Sequence, residues 1–266
     1  MAQLIYIGGY GRSGSTLLEG LLTADPNVVA CGEVGRHLRK VKSNKTCTCA
    51  RRIKHCPVWR PFRHKRGSLN GWDHRRLTLA LLDHISTNFL VMVDSSKTAW
   101  GSELMPFRLR RNLGRDFLLV HLVRDPRAVC WSTIRSLRGR KTPGSELARY
   151  FRTVLGWLAA NLACEVFGLL HPKRYMRIRY EDLVGAPRTV LGSIFGRVAL
   201  EPASLDHLGA SENRHQLHGN KMRREPLSLT GLKEDVAWKT EMPRLYRWLA
   251  AGLSWPFLAK YGYFRQ

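Results

Sequence analysis

The residues best placed for chemistry open the chain. Gly9-Tyr10-Gly11-Arg12-Ser13-Gly14-Ser15-Thr16 follows the short apolar run Leu4 to Ile7 and precedes Leu17, Leu18, Leu21 and Leu22 at helical spacing. Strand, glycine loop and helix in that order form an anion cradle, because the unpaired N–H groups and the positive end of the helix dipole face one point. Compared with the triphosphatase loop G-x-x-x-x-G-K-[ST], the glycines and Thr16 match, but Ser15 stands where the lysine would reach the β and γ phosphates. Arg12 is the only cation inside the loop. It suits a ligand whose transferred group hangs from a single phosphate rather than a triphosphate carrying magnesium.

A second anion site follows Phe117 to Val123, which reads as a buried strand. Arg124 comes at its carboxyl end, where open α/β sheets bind ligands, and Asp125-Pro126 starts the next helix. Ser132 lies about two helical turns beyond Arg124. Other reactive side chains are Glu33, which follows the extended run Val28 to Cys31 back toward the loop, and Lys97, at the end of Asp94-Ser95-Ser96-Lys97. Asp94 also fits the magnesium carboxylate of a kinase, against which the missing loop lysine counts. Glu33 could instead pair with one of the many nearby arginines. His37, His121 and His215 are further bases by residue type alone.

Positioning these groups requires a parallel sheet. Strands are expected at Leu4 to Ile7, Phe89 to Val93, Phe117 to Val123 and Tyr175 to Ile178. Helices are expected around Leu77, Leu81, Leu82 and Ile85, along the stripe Leu147, Phe151, Leu155, Leu158 and Leu162 capped by Ser145, and over Arg244 to Leu253. Both stripes read as faces that cover the sheet. Residues 201–240 mix Gly, Pro, His and charge without period, the signature of a long functional loop with short helices. The expectation is one domain over 1–266 with an α/β, three-layer, P-loop-like fold: a central parallel sheet flanked by helices.

Lys and Arg number 44 against 20 acidic residues, a formal charge of +24, which favours a polyanionic partner, while 44% hydrophobic residues exclude a disordered chain. Residues 34–72 contain no acid at all and carry Arg36, Arg39, Lys40, Arg51, Arg52, Arg60 and Arg63 among other cations. With Trp59 and Phe62 as stacking groups, this segment also admits a nucleic-acid-binding module. Met1 to Gly8 lacks a basic leader, and no stretch approaches the ~18 apolar residues of a membrane span. A cytoplasmic protein is expected, with peripheral membrane contact left open and its six cysteines reduced.

Four islands resemble the sulfotransferases that use 3′-phosphoadenosine 5′-phosphosulfate (PAPS), specifically bacterial members sharing motifs with tyrosylprotein and carbohydrate sulfotransferases. They are Gly11 to Thr16 with Cys31-Gly32-Glu33, Val93 to Lys97, Leu122 to Arg127 with Ser132, and Gly219-Asn220-Lys221-Met222-Arg223 with Trp255-Pro256 and Tyr261-Gly262-Tyr263. The resemblance implies sulfuryl transfer from PAPS to an acceptor hydroxyl, leaving the 3′,5′-bisphosphate PAP. It implies that Gly11, Arg12, Ser13, Gly14, Ser15 and Thr16 hold the 5′ end, and that Arg124 and Ser132 hold the 3′-phosphate. Tyr180 falls in a nucleotide-contacting segment, and Asn220, Lys221 and Arg223 fall in a loop that folds over the cofactor. Glu33 becomes the base, and Lys97, with Arg12, the cation for the leaving group. That branch has Gly-Glu-Glu where this chain has Gly32-Glu33-Val34. The acceptor is a hydroxylated glycan, lipid, small molecule or peptide, anionic if the basic segment flanks it; no nucleic acid is expected.

A basic Cys-containing insertion spans about 43–70. Cys47, Cys49 and Cys56, with Cys31 or His55, approach the ligand count of structural zinc, but C-x-C-x6-C is not a strong zinc spacing. Free or locally paired thiols are preferred, and no metal is assigned.

Overall fold

A computed structural model describes residues 2–36, 46–63, 73–137, 145–201, 212–217, 221–225, 227–229 and 231–264. Its sheet has five strands: β1 (Gln3–Gly8), β2 (Val28–Gly32), β3 (Val91–Asp94), β4 (Phe117–Val123) and β5 (Tyr175–Arg179). All pairs are parallel, in the order β2-β3-β1-β4-β5. The expected β4 is reproduced to the residue. Only four strands were expected; the run Val28 to Cys31, read as extended but not counted among them, is the fifth, β2. The expected β3 begins too early, at Phe89, whereas Leu90 is exposed and pairing starts at Val91.

Eight helices of six or more residues flank the sheet among the described residues: α1 (Ser15–Leu22), α2 (His74–Ile85), α3 (Met105–Leu113), α4 (Pro126–Leu137), α5 (Glu146–Leu170), α6 (Tyr180–Gly185), α7 (Pro187–Arg197) and α8 (Arg244–Tyr261). Strand alternation sorts them into layers. Leu4 and Tyr6 of β1 face α2, α3 and Phe167 of α5, while Ile5 and Ile7 face α1 and α7. This is the expected three-layer α/β arrangement. Asp73 and Ser145 cap α2 and α5 by accepting the N–H of Arg76 and Ala148.

Helix α5 corrects two expectations. Leu147, Phe151, Leu155 and Leu162 lie on its exposed side, and its core face is Tyr150, Val154, Trp157, Ala160, Cys164 and Phe167. The helix is apolar nearly all round, so a leucine stripe could not tell the two faces apart. It is also long and apolar enough to cross a membrane, contrary to the expectation of no such stretch. Half of it is buried in this fold, however, and Glu165 pairs with Arg177 and Lys260. Helix α8 runs eight residues past its expected end at Leu253, through Pro256. Proline removes the N–H that would bond the Gly252 carbonyl, and since both residues are exposed, water can serve that oxygen.

Candidate active site

The glycine loop joins β1 to α1 at the carboxyl edge of the sheet. Gly9 has φ 116°, and a Cβ there would fall 2.5 Å from the Leu122 carbonyl oxygen; Gly14 has φ 95°, and a Cβ would fall 2.5 Å from the Tyr180 ring. Only glycine fits either place. Arg12 takes a left-handed φ of 70°, and its carbonyl accepts Arg124 Nη1 at 3.0 Å. The N-cap of α1 is Gly14, which has no side chain to offer, so the first N–H groups of the helix suit a ligand. The loop is sewn to the exit of β3 by Gly9 N–H to Thr98 Oγ1, 2.9 Å, and Thr98 N–H to the Gly9 carbonyl, 3.2 Å.

That stitch brings Lys97 over the loop: a Cβ on Gly11 would meet Lys97 Cε at 3.0 Å. Lys97 Nζ donates to Glu33 Oε1, and Arg36 Nη1 to Glu33 Oε2 at 2.9 Å. The structure thus joins two residues 64 positions apart that the sequence could only suspect separately. Burial pushes the Glu33 carboxyl up, but the Lys97 ammonium and then Arg36 outweigh it and hold the pKa below its ordinary value. Glu33 is therefore ionised at neutral pH.

Two acids beneath this pair are structural. Glu19, buried on α1, accepts Gly32 N–H at 2.6 Å and Ser95 Oγ–H at 2.7 Å, fixing the ends of β2 and β3 from which Glu33 and Lys97 project. Burial raises its pKa to about 8. A lone acid inside Leu17-Leu18-Glu19-Gly20-Leu21-Leu22 was the sequence signal for it, and it was missed. Asp94, the rival magnesium ligand, is fully buried, bonded by His74 Nε2 at 2.8 Å, Thr78 Oγ1 at 3.4 Å and Ser96 N–H at 2.8 Å. It shapes the turn before Lys97 through these bonds.

Arg124 is 5% exposed at the end of β4. Besides the Arg12 carbonyl it donates to the Asp235 carbonyl at 2.9 Å and lies 4.3 Å over the Tyr180 ring. Tyr180 thus sits between Gly14 and Arg124, linking the two expected phosphate sites. Asp235, which also pairs with Arg135 of α4 at 2.8 Å, carried no sequence signal because 201–240 has no period. Ser132 is half-buried on α4. Residues 221–224 form a short 3-10 turn. Burial, and then the neighbouring Arg224, hold the pKa of its Arg223 below the ordinary arginine value, against a smaller opposing pull from Glu33. Asn220 lies outside the described residues, as does His37.

The remaining candidates go elsewhere. His121 is fully buried between the Tyr175 hydroxyl and Asn161, each at 2.8 Å, and burial lowers its pKa to about 4, so it is a core residue and no base. Trp59 is buried, with its indole N–H on the His215 carbonyl at 2.6 Å, and Phe62 packs against the core. Burial takes Trp59 out of the stacking pair that the nucleic-acid reading used, while Phe62 stays partly exposed.

The profile of the sulfotransferase family matches residues 4–203. Among curated proteins no sequence matches the chain. Among solved structures it is similar to the sulfotransferase domain of the curacin biosynthetic pathway, at 20% identity and TM-score 0.52, covering 96% of this chain and 98% of that one. The sulfotransferase domain of the Synechococcus PCC 7002 olefin synthase aligns at 18% identity and TM-score 0.56, over 96% and 94%. The mouse sulfotransferase SULT7A1 complexed with PAP aligns at 10% and 0.57, over 97% and 84%. The glycine loop, the cation after β3 and the arginine after β4 therefore sit in a fold shared with these enzymes, and the chain belongs to the sulfotransferase family.

Proposed function

We propose that this sulfotransferase takes its sulfuryl group from PAPS and passes it by in-line displacement to the hydroxyl of an anionic acceptor. One observation carries the reading: a lysine and a glutamate from two different strand ends are bonded to each other directly over the glycine loop. The residues fit a nucleotide with phosphates at both ends. Ser13 Oγ in the loop and Arg124 Nε beside it are buried polar atoms with no hydrogen-bond partner among the described residues.

Gly11, Arg12, Ser13, Gly14, Ser15 and Thr16 would hold the 5′ end, and Arg124 with Ser132 the 3′-phosphate. Tyr180 orients Arg124, and by the family resemblance Asn220, Lys221 and Arg223 would cover the nucleotide. The donor supplies a sulfuryl group on a phosphate that can leave. Glu33, held ionised, accepts the proton of the acceptor hydroxyl, and Lys97, once turned from Glu33, neutralises charge on the departing oxygen. Arg36, Arg51, Arg52 and Arg60 are exposed on the adjoining segment and favour an anionic acceptor. The free thiols fit a reducing, cytoplasmic setting.

The test is incubation with sulfur-labelled PAPS and a panel of hydroxylated glycans, lipid head groups and peptides, alongside calorimetry with PAP and with ATP and magnesium. Label should move to a hydroxyl, and PAP should bind in preference. Preferential binding of magnesium ATP, with no label transferred, would sink the reading in favour of a kinase.

A further inference from the structure

The cysteine-bearing segment is built around one point. Cys47, Cys49, Cys56 and His215 present Sγ and imidazole nitrogen atoms that all lie within 4.8 Å of one another. His215 Nδ1 is 3.2 Å from Cys56 Sγ and 3.9 Å from Cys47 Sγ. A tetrahedral zinc with Zn–S of roughly 2.3 Å and Zn–N of roughly 2.0 Å sets its ligand atoms about 3.5–3.8 Å apart. The two measured separations bracket that edge. We propose that these four residues form a closed Cys3His structural zinc site.

The surroundings are those of a prepared site. Cys47, Cys56 and His215 are buried. Cys47 N–H bonds the Arg51 carbonyl at 2.9 Å and Thr46 bridges to Arg52, so Cys47 and Cys49 sit in a tight turn that closes through Ala50 at φ 61°. The opposite ligand is equally fixed. His215 N–H bonds the Ala30 carbonyl at 2.7 Å, its own carbonyl accepts Trp59 Nε1, and Thr48 Oγ1 donates to the Arg214 carbonyl while accepting Gln216 N–H. Thus both sides of the cluster are held by bonds that do not involve the ligand atoms themselves. Three soft thiolates and an imidazole select zinc over magnesium or calcium, and four protein ligands leave no open position for catalysis.

The fourth ligand is neither Cys31 nor His55. His55 is exposed, and His215 is 159 positions beyond Cys56, out of reach of any spacing rule. The metal would tie three parts of the chain together: the basic segment, the strand end at Ala30 that leads to Glu33, and the stretch leading to the turn at 221–224 with Arg223. Binding replaces the thiol protons, so the site would load at neutral pH and empty in acid.

The full chain, purified without added metal, should contain about one zinc per molecule. After removal of zinc, titration with cobalt(II) should give the ligand-field bands of a tetrahedral site together with thiolate-to-cobalt charge transfer. Cys49→Ser and His215→Ala should lower zinc content at least about fivefold, whereas Cys31→Ser and His55→Ala should keep it. His215→Cys preserves a four-ligand set and should retain metal even if His215→Ala fails to fold. Zinc below about 0.2 per chain in the wild type with no thiolate–cobalt spectrum would overturn the site. A mass 2 Da lower, marking a disulfide within the cluster in freshly purified protein, would overturn it equally. Loss of metal in His55→Ala rather than in the His215 variants would overturn the ligand assignment.

Discussion

At the scale of single residues, the Lys97–Glu33 contact holds the carboxylate ionised. In the proposed mechanism it opens before the ammonium faces a leaving group. Glu33→Gln should lower kcat about 10²- to 10⁴-fold with PAP affinity nearly unchanged, as measured by calorimetry beside steady-state rates. Because Arg36 helps hold the Glu33 pKa down, Arg36→Ala should move the acid limb of the rate profile to higher pH. An unmoved limb would mean that another group titrates there. Arg124→Ala should weaken PAP binding about 10- to 100-fold through lost charged hydrogen bonds; unchanged affinity would remove Arg124 from the site. Glu19 makes a different prediction. With its pKa raised from 4.5 to about 8, the folded chain keeps a proton that the unfolded chain releases between those values. Stability should fall as pH rises through that window, on the order of 1 kcal/mol per unit, and Glu19→Gln should flatten the slope of urea midpoints against pH.

At the scale of elements, the carboxyl ends of β1, β2, β3 and β4 each deliver one part of the proposed site: the loop, Glu33, Lys97 and Arg124. Their neighbours in the sheet fix the spacing, and Thr98 and Glu19 fix the exits. Helix α5 shows how an element can be right and its orientation wrong. The expected Ser145 cap and helical span are present, yet of the stripe only Leu158 packs inward, the other four residues face outward, and Trp157 faces the core, with its indole N–H on the Arg124 carbonyl at 3.1 Å. Trp157→Ala should therefore cost about 3–5 kcal/mol in urea denaturation. Leu155→Glu, at a position 55% exposed, should cost less than about 0.5 kcal/mol. Equal losses would show that the sequence had the face right.

At the scale of the molecule, the charge of +24 should make an anionic acceptor's KM rise with salt while a neutral acceptor's KM stays level. Parallel responses would mean that the basic segment does not meet the acceptor. The sequence by itself determined what is local: the anion loop from Gly9 to Thr16, the missing lysine at Ser15, the buried strand Phe117 to Val123 that runs up to Arg124, and the Ser145 cap. These follow from backbone preference and short-range periodicity, which a chain carries without its fold. Only the tertiary structure decided which side chains meet. It joined Lys97 to Glu33, turned Asp94 inward onto His74, sealed His121 and Trp59 in the core, and brought His215 to three cysteines far upstream. Parallel strands need long crossovers, so the partners at a sheet's carboxyl edge are always distant in sequence, and packing alone selects them.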